Sequence, residues 1–103
     1  MVSTGLRQTI KDVVGTIDYD RIVLFGSHAR GENTEQSDYD VLIIIKDALP
    51  MRDKIRMSSE LRARFAEKLM DTDILIKDRQ EVEYLKDKCG SVVRNALIHG
   101  IQL

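Results

Sequence analysis

Leu24-Phe25-Gly26-Ser27-His28-Ala29-Arg30-Gly31, followed after a polar connector by Ser37-Asp38-Tyr39-Asp40-Val41-Leu42-Ile43-Ile44-Ile45, decides how this chain folds. Arg21 to Phe25 is a short β-rich run stopped by Gly26. Asp38 to Ile45 is a second strand, apolar on both faces at its far end, as expected for a strand in the middle of a sheet. On the N-terminal side, Leu6, Ile10, Val13, Val14 and Ile17 recur at spacings of three and four and predict a helix over Thr4 to Ile17. Pro50 marks a helix start. From Met51 to Met70, an i, i+4 stripe of Met57, Leu61, Phe65 and Leu69, flanked by Ile55 and Ala66, predicts a second helix, with Glu60 and Arg64 as an i, i+4 ion pair. Asp71 to Ile76 reads as a third strand. Val82, Leu85, Cys89, Val92, Val93, Ala96 and Leu97 then carry a helical stripe to the C-terminus, which Gly90 either interrupts or splits. The order predicts an α/β (α+β) fold in which a small sheet of about three strands packs against helices.

Composition narrows the chemistry. The chain has 103 residues, the size of a single domain, and no repeat or linker divides it. Its longest apolar run has strand length, so no membrane span is expected, and the N-terminus lacks a signal-peptide pattern. These features lead us to expect a cytoplasmic protein. A net charge of −1 argues against nucleic-acid binding through bulk positive charge. One cysteine and two separated histidines argue against disulfides and against a Cys- or His-based metal site. What is left is carboxylates, backbone amides and hydroxyls.

Asp38 and Asp40 are two residues apart on a strand and share a face. Two carboxylates so close repel each other unless a cation lies between them, and Mg²⁺ takes one or two such ligands while keeping its waters. Asp73 opens the third strand in the same way. If the second and third strands are neighbours, Asp73 reaches the same rim and completes a site for two divalent ions. Asp71 forms a further D-x-D with Asp73 and is either part of the same site or the cap or turn residue that closes the preceding helix, and Asp18 and Asp20 read as a turn. Gly26-Ser27 directly after a strand brings backbone amides and a hydroxyl towards a ligand, as phosphate oxygens require, and Arg30 lies one turn beyond. No Walker sequence is present.

Gly26-Ser27, ten intervening residues and Asp38-x-Asp40 at the head of an apolar strand together resemble the nucleotidyltransferase superfamily related to DNA polymerase β. More narrowly they resemble its MNT-type minimal members, over most of the chain from Ile22 to about Lys77. The resemblance implies a minimal nucleotidyltransferase fold. It also implies phosphates held by Gly26 and Ser27 with Arg30 nearby, and two Mg²⁺ ions on Asp38, Asp40 and Asp73. Further, it implies ATP as substrate and transfer of AMP to a hydroxyl of a protein partner, a tyrosine of a HEPN-domain ribonuclease toxin that this chain would neutralise as antitoxin. The alternatives are transfer to a small-molecule hydroxyl such as that of an antibiotic, or a catalytically silent partner-binding module. Cys89 and the methionines at 51, 57 and 70 are expected in the core. His28 and His99 are expected at the surface or at a partner contact, with His28 near enough to touch a phosphate. Ile98, Ile101 and Leu103 are expected either to dock a second chain or to fray.

Overall fold

A computed structural model describes residues 2–103. Its central element is β2 (Tyr39–Ile45), whose residues 41–45 are all buried. Beside it β1 (Tyr19–Phe25) runs antiparallel, and on the other side β3 (Thr72–Asp78) runs parallel. The sheet has four strands, not three, in the order β3-β2-β1-β4. The added strand β4 (Ile101–Gln102) pairs with the outer edge of β1 through Val23 and Leu24, and is too short to show a period of two. Ile101 therefore belongs to the sheet and Leu103 packs against the core, while Ile98 stays exposed.

Alternation along the strands divides the interior in two. Ile22, Leu24, Val41, Ile43, Ile45, Ile74 and Ile76 face α1 (Thr4–Val14) and α3 (Met51–Glu67), which contribute Ile10, Val13, Val14, Leu61 and Phe65. Val23, Leu42 and Ile44 face the smaller cover of α4 (Arg79–Leu85) and α5 (Val92–His99), which contribute Val82, Val93 and Ala96. The smaller cover leaves the leading ends of β2 and β3 open on that side.

Local sequence sets the ends of these helices. The Ser3 hydroxyl accepts from Leu6 N (3.1 Å) and caps α1, which ends at Val14, short of the expected Ile17. The C-terminal stripe is two helices. Gly90 takes a φ of 83° in the turn between them, and Ser91 then caps α5 by accepting from Arg94 N. Cys89 lies in that turn and is exposed instead of buried, because the chain has left the helix on whose face its spacing placed it. The stripe of α3 also overruns its helix. Leu69 adopts a φ of 60° just past the C-terminus, and Met70 N donates to Phe65 O (3.0 Å). This closing turn throws Leu69 outward, 96% exposed, and returns Met70 to the core against Phe65. Met51, Ile55 and Ala66 are exposed as well, and Met57 is half-buried. Arg64 bonds the Thr16 hydroxyl at 3.0 Å instead of pairing with Glu60.

Periodicity also missed a buried charge. Lys54 on α3 is only 7% exposed, and its ammonium donates to Asp78 (3.1 Å) and to Glu81. Asp78 ends β3 and caps α4, accepting from Glu81 N while Glu81 reaches back to Asp78 N. Burial works to lower the Lys54 pKa, but the two carboxylates outweigh it and hold the ammonium above its ordinary 10.5. Burial likewise works to raise Asp78, but the Glu81 amide and Lys54 outweigh it and hold the carboxyl below 3.8. The stabilisation carried by Asp78 is therefore present above its ordinary pKa and is lost as pH falls through its depressed value. That carried by Lys54 is present below 10.5 and is lost as pH rises through its raised value. Lys54→Met leaves Asp78 and Glu81 without their cation and is expected to cost about 3 kcal/mol at pH 7, measured by urea denaturation. The deficit should shrink at pH 4.5, because an unpaired buried Asp78 takes up its proton more readily in the folded state. A deficit unchanged by acid would show that the ion cluster is not its source.

Candidate active site

The register brings the sequence motifs to one rim. Phe25 pairs with Asp40 across β1 and β2, and Asp40 pairs with Asp73 across β2 and β3. Asp40 and Asp73 lie in phase with Leu42 and Leu75, so their side chains project on the α4/α5 face, at the end that those helices leave uncovered. Asp38 lies two residues before Asp40, just ahead of the strand, and is exposed.

Gly26 follows Phe25 with a φ of 74°, a conformation that favours glycine. A Cβ built on Gly26 would collide with the Asp40 carboxylate, so the Gly26-Ser27 turn and that carboxylate touch. Ser27 to Arg30 form a single helical turn, α2, closed by Gly31 at a φ of 72°. Its first N–H groups have no intrahelical acceptor. His28 stacks on Tyr39 with ring centroids 3.8 Å apart, and its Nε2 donates to the Ser37 carbonyl at 3.0 Å. This contact clips α2 to the start of β2 and was invisible to periodicity, since it joins two elements through residues eleven positions apart. The Arg30 guanidinium is exposed, with its Nε 3.4 Å from Glu32.

Charge at this rim is unbalanced. Burial first, then Asp73 and Asp38, raise the Asp40 pKa above 3.8, and His28 and Arg30 oppose the rise. Among the described residues no three His, Cys, Asp or Glu side chains stand close enough to hold an ion on their own. The donor set nonetheless fits a hard divalent cation: two aligned carboxylates, one of them held at a cost in like-charge repulsion that a cation would relieve. An open cleft of about 610 Å³ adjoins the pair. Gly26, Ser27, Arg30, Asp40 and Asp73 line it, as do Phe25, Ile74, Leu75, Val92 and Asn95. Asp38 and Asp71 lie outside its lining; Asp71 instead gives its carbonyl to Tyr39 N at 2.9 Å. Sequence reasoning missed Val92 and Asn95. Strand parity could have found Phe25 and Leu75, because they share the face of the acids.

Residues 6–103 match the family described as Nucleotidyltransferase domain. The chain belongs to that family. It is 42% identical over 57 residues to a proposed protein adenylyltransferase of Methanocaldococcus jannaschii, an alignment that spans 55% of this chain and about half, 54%, of that relative. Among solved structures it resembles a chain of a toxin–antitoxin crystal structure with AMP-PNP, with a TM-score of 0.63 and 23% identity, over 92% of this chain and 69% of the other. It also resembles a chain of the complex between a tri-AMPylated Shewanella oneidensis HEPN toxin and its MNT antitoxin, with a TM-score of 0.55 and 16% identity, over 93% and 69%. These two likenesses establish a shared fold. No helix among the described residues of this nucleotidyltransferase-family chain is long and apolar enough to cross a membrane.

Gly26→Ala tests the contact between turn and carboxylate. The added methyl meets Asp40 and puts an L-residue at a φ of 74° and a ψ of −154°, a region essentially kept for glycine, and we expect it to cost about 1–3 kcal/mol. Urea denaturation should show that loss, and nucleotide binding should fall at least tenfold when measured well below the unfolding midpoint. Unaltered stability and binding would mean that Gly26 does not press on Asp40.

Proposed function

We propose that this chain is a Mg²⁺-dependent nucleotidyltransferase that moves AMP from ATP onto a hydroxyl of a protein, a tyrosine of a HEPN-domain ribonuclease toxin, and thereby acts as its antitoxin. The observation that carries the reading is the pairing of Asp40 with Asp73 in one cleft with the Gly26-Ser27 turn pressed on Asp40. The family supports the reaction type. The adenylyltransferase description of the archaeal relative and the toxin–antitoxin descriptions of the structural neighbours support the substrate and the partner.

In the reaction the acceptor hydroxyl oxygen forms a bond to the α-phosphorus, the bond from that phosphorus to the bridging oxygen breaks, and pyrophosphate leaves with the electron pair. The Ser27 hydroxyl and the free amides of the turn hold the oxygens of the departing phosphates. Arg30, at the edge of the cleft, adds charge to the same oxygens. Asp40 and Asp73, with Asp38 joining from its exposed position, would hold the Mg²⁺ ions. When bound, the metal lowers the pKa of the attacking hydroxyl and offsets charge at the reacting phosphorus. Asp73, on the outer strand, orients that hydroxyl and takes its proton. With only α4 and α5 covering this face, the cleft stays open to an acceptor as large as a protein.

Incubation with α-labelled ATP, Mg²⁺ and extract of the source cells tests the proposal. Label should appear on tyrosine of a HEPN-domain protein, and Asp40→Asn should reduce the transfer at least a hundredfold. Label on a small molecule would favour an antibiotic-type acceptor, and no transfer at all would leave a silent module. Because Asp40 is more basic in the fold than outside it, removing its charge should leave stability in metal-free buffer equal to or above wild type. An Asp40→Asn protein that unfolds would show that the carboxylate serves the structure instead of the chemistry.

A further inference from the structure

We propose that the cleft wall formed by Phe25, Leu75 and Val92 seats the nucleobase, and that the Asn95 carboxamide selects adenine by pairing with its edge. The inference rests on the nucleotidyltransferase reading above and names the part of the substrate which that reading leaves unplaced.

Asp73 on β3, Asp40 on β2 and the Gly26-Ser27 turn after β1 follow one another across the sheet. In a displacement with attacking and leaving oxygens in line, pyrophosphate departs towards the turn on the β1 side and the acceptor arrives opposite it, from the β3 side. Neither direction is then free for the ribose and base, which must leave the rim at right angles. The acids share their sheet face with Phe25 and Leu75, so one such direction leads along that face towards α5.

What lies there suits a flat aromatic ring with a polar edge. Phe25 and Leu75 are half-buried and pack against the smaller core. Val92, in the first turn of α5, is 53% exposed although it is apolar and lines the cleft. Asn95 stands one turn further along the same helix and lines the same cleft. Its neighbours Ser91 and Arg94 are engaged in the helix cap, Ser91 Oγ accepting from Arg94 N at 2.9 Å. Apolar walls with one well-placed polar group are the usual make-up of a small-molecule site. A carboxamide offers one donor and one acceptor side by side, which matches the 6-amino group and N7 of adenine; on the same edge of guanine both O6 and N7 are acceptors.

Equilibrium dialysis in Mg²⁺ with ATP, GTP and inorganic tripolyphosphate tests this. Wild type should hold ATP about tenfold more tightly than GTP. Asn95→Leu and Asn95→Ala should bring ATP down to the GTP level while tripolyphosphate, which has no base, binds as before. Equal affinity of wild type for the two nucleotides, or a preference that survives both substitutions, would overturn the assignment while leaving the functional reading intact. Loss of tripolyphosphate binding in both variants would also overturn it, since Asn95 would then support the fold instead of reading the base. A wild-type protein that binds neither nucleotide nor tripolyphosphate would overturn the functional reading and this inference with it.

Discussion

Everything at the rim depends on the register of β2 against its two neighbours. Side chains alternate between the faces of a sheet, so a slip of one residue in the β2–β3 pairing would send Asp40 and Asp73 to opposite sides. A slip of β2 itself against both neighbours would also carry Leu42 and Ile44 out of one core and Val41, Ile43 and Ile45 out of the other. The apolar burial of β2 and the alignment of its carboxylate are therefore one constraint. The buried cluster of Lys54, Asp78 and Glu81 acts at the far end of β3, where it ties α3 to the cap of α4. It fixes the end of the strand whose beginning supplies Asp73.

Stability and function pull apart at the other end. Asp40 is partly withdrawn from water beside two like charges, which a fold under selection for stability alone would avoid. The two apolar layers and the helix caps outweigh that strain. The difference in cover also matters: α1 and α3 close one face of the sheet, and α4 and α5 close only part of the other. The cleft is what remains open, and it lies where the acids, the glycine turn and the apolar wall meet.

Much of this was legible in the residues. The long apolar run of β2, the glycine after β1 and the positions of Asp40 and Asp73 at the heads of strands are local signals, whereas Asp38 lies ahead of its strand and outside the cleft lining. Strand neighbourhood was only a condition, and the parallel pairing of β2 with β3 supplies it. Cys89 and Leu69 carry the right spacing but lie beyond the last helical turn, where a change of φ reverses the direction of the side chain. Lys54 has a polar name and a buried place because its partners, Asp78 and Glu81, come from a different element. Asn95 gave no signal, since its position in the cleft follows from how α5 lies across the sheet.

The central claim is that Asp40, Asp73 and the Gly26-Ser27 turn surround one metal–triphosphate site. Paramagnetic broadening of backbone amide resonances by Mn²⁺ in the presence of ATP tests it directly, since Mn²⁺ accepts the oxygen ligands that suit Mg²⁺. Residues 26, 27, 38–40 and 73 should broaden first and together, and omitting ATP should weaken the effect. Broadening centred elsewhere on the chain, or none at these residues, would contradict it.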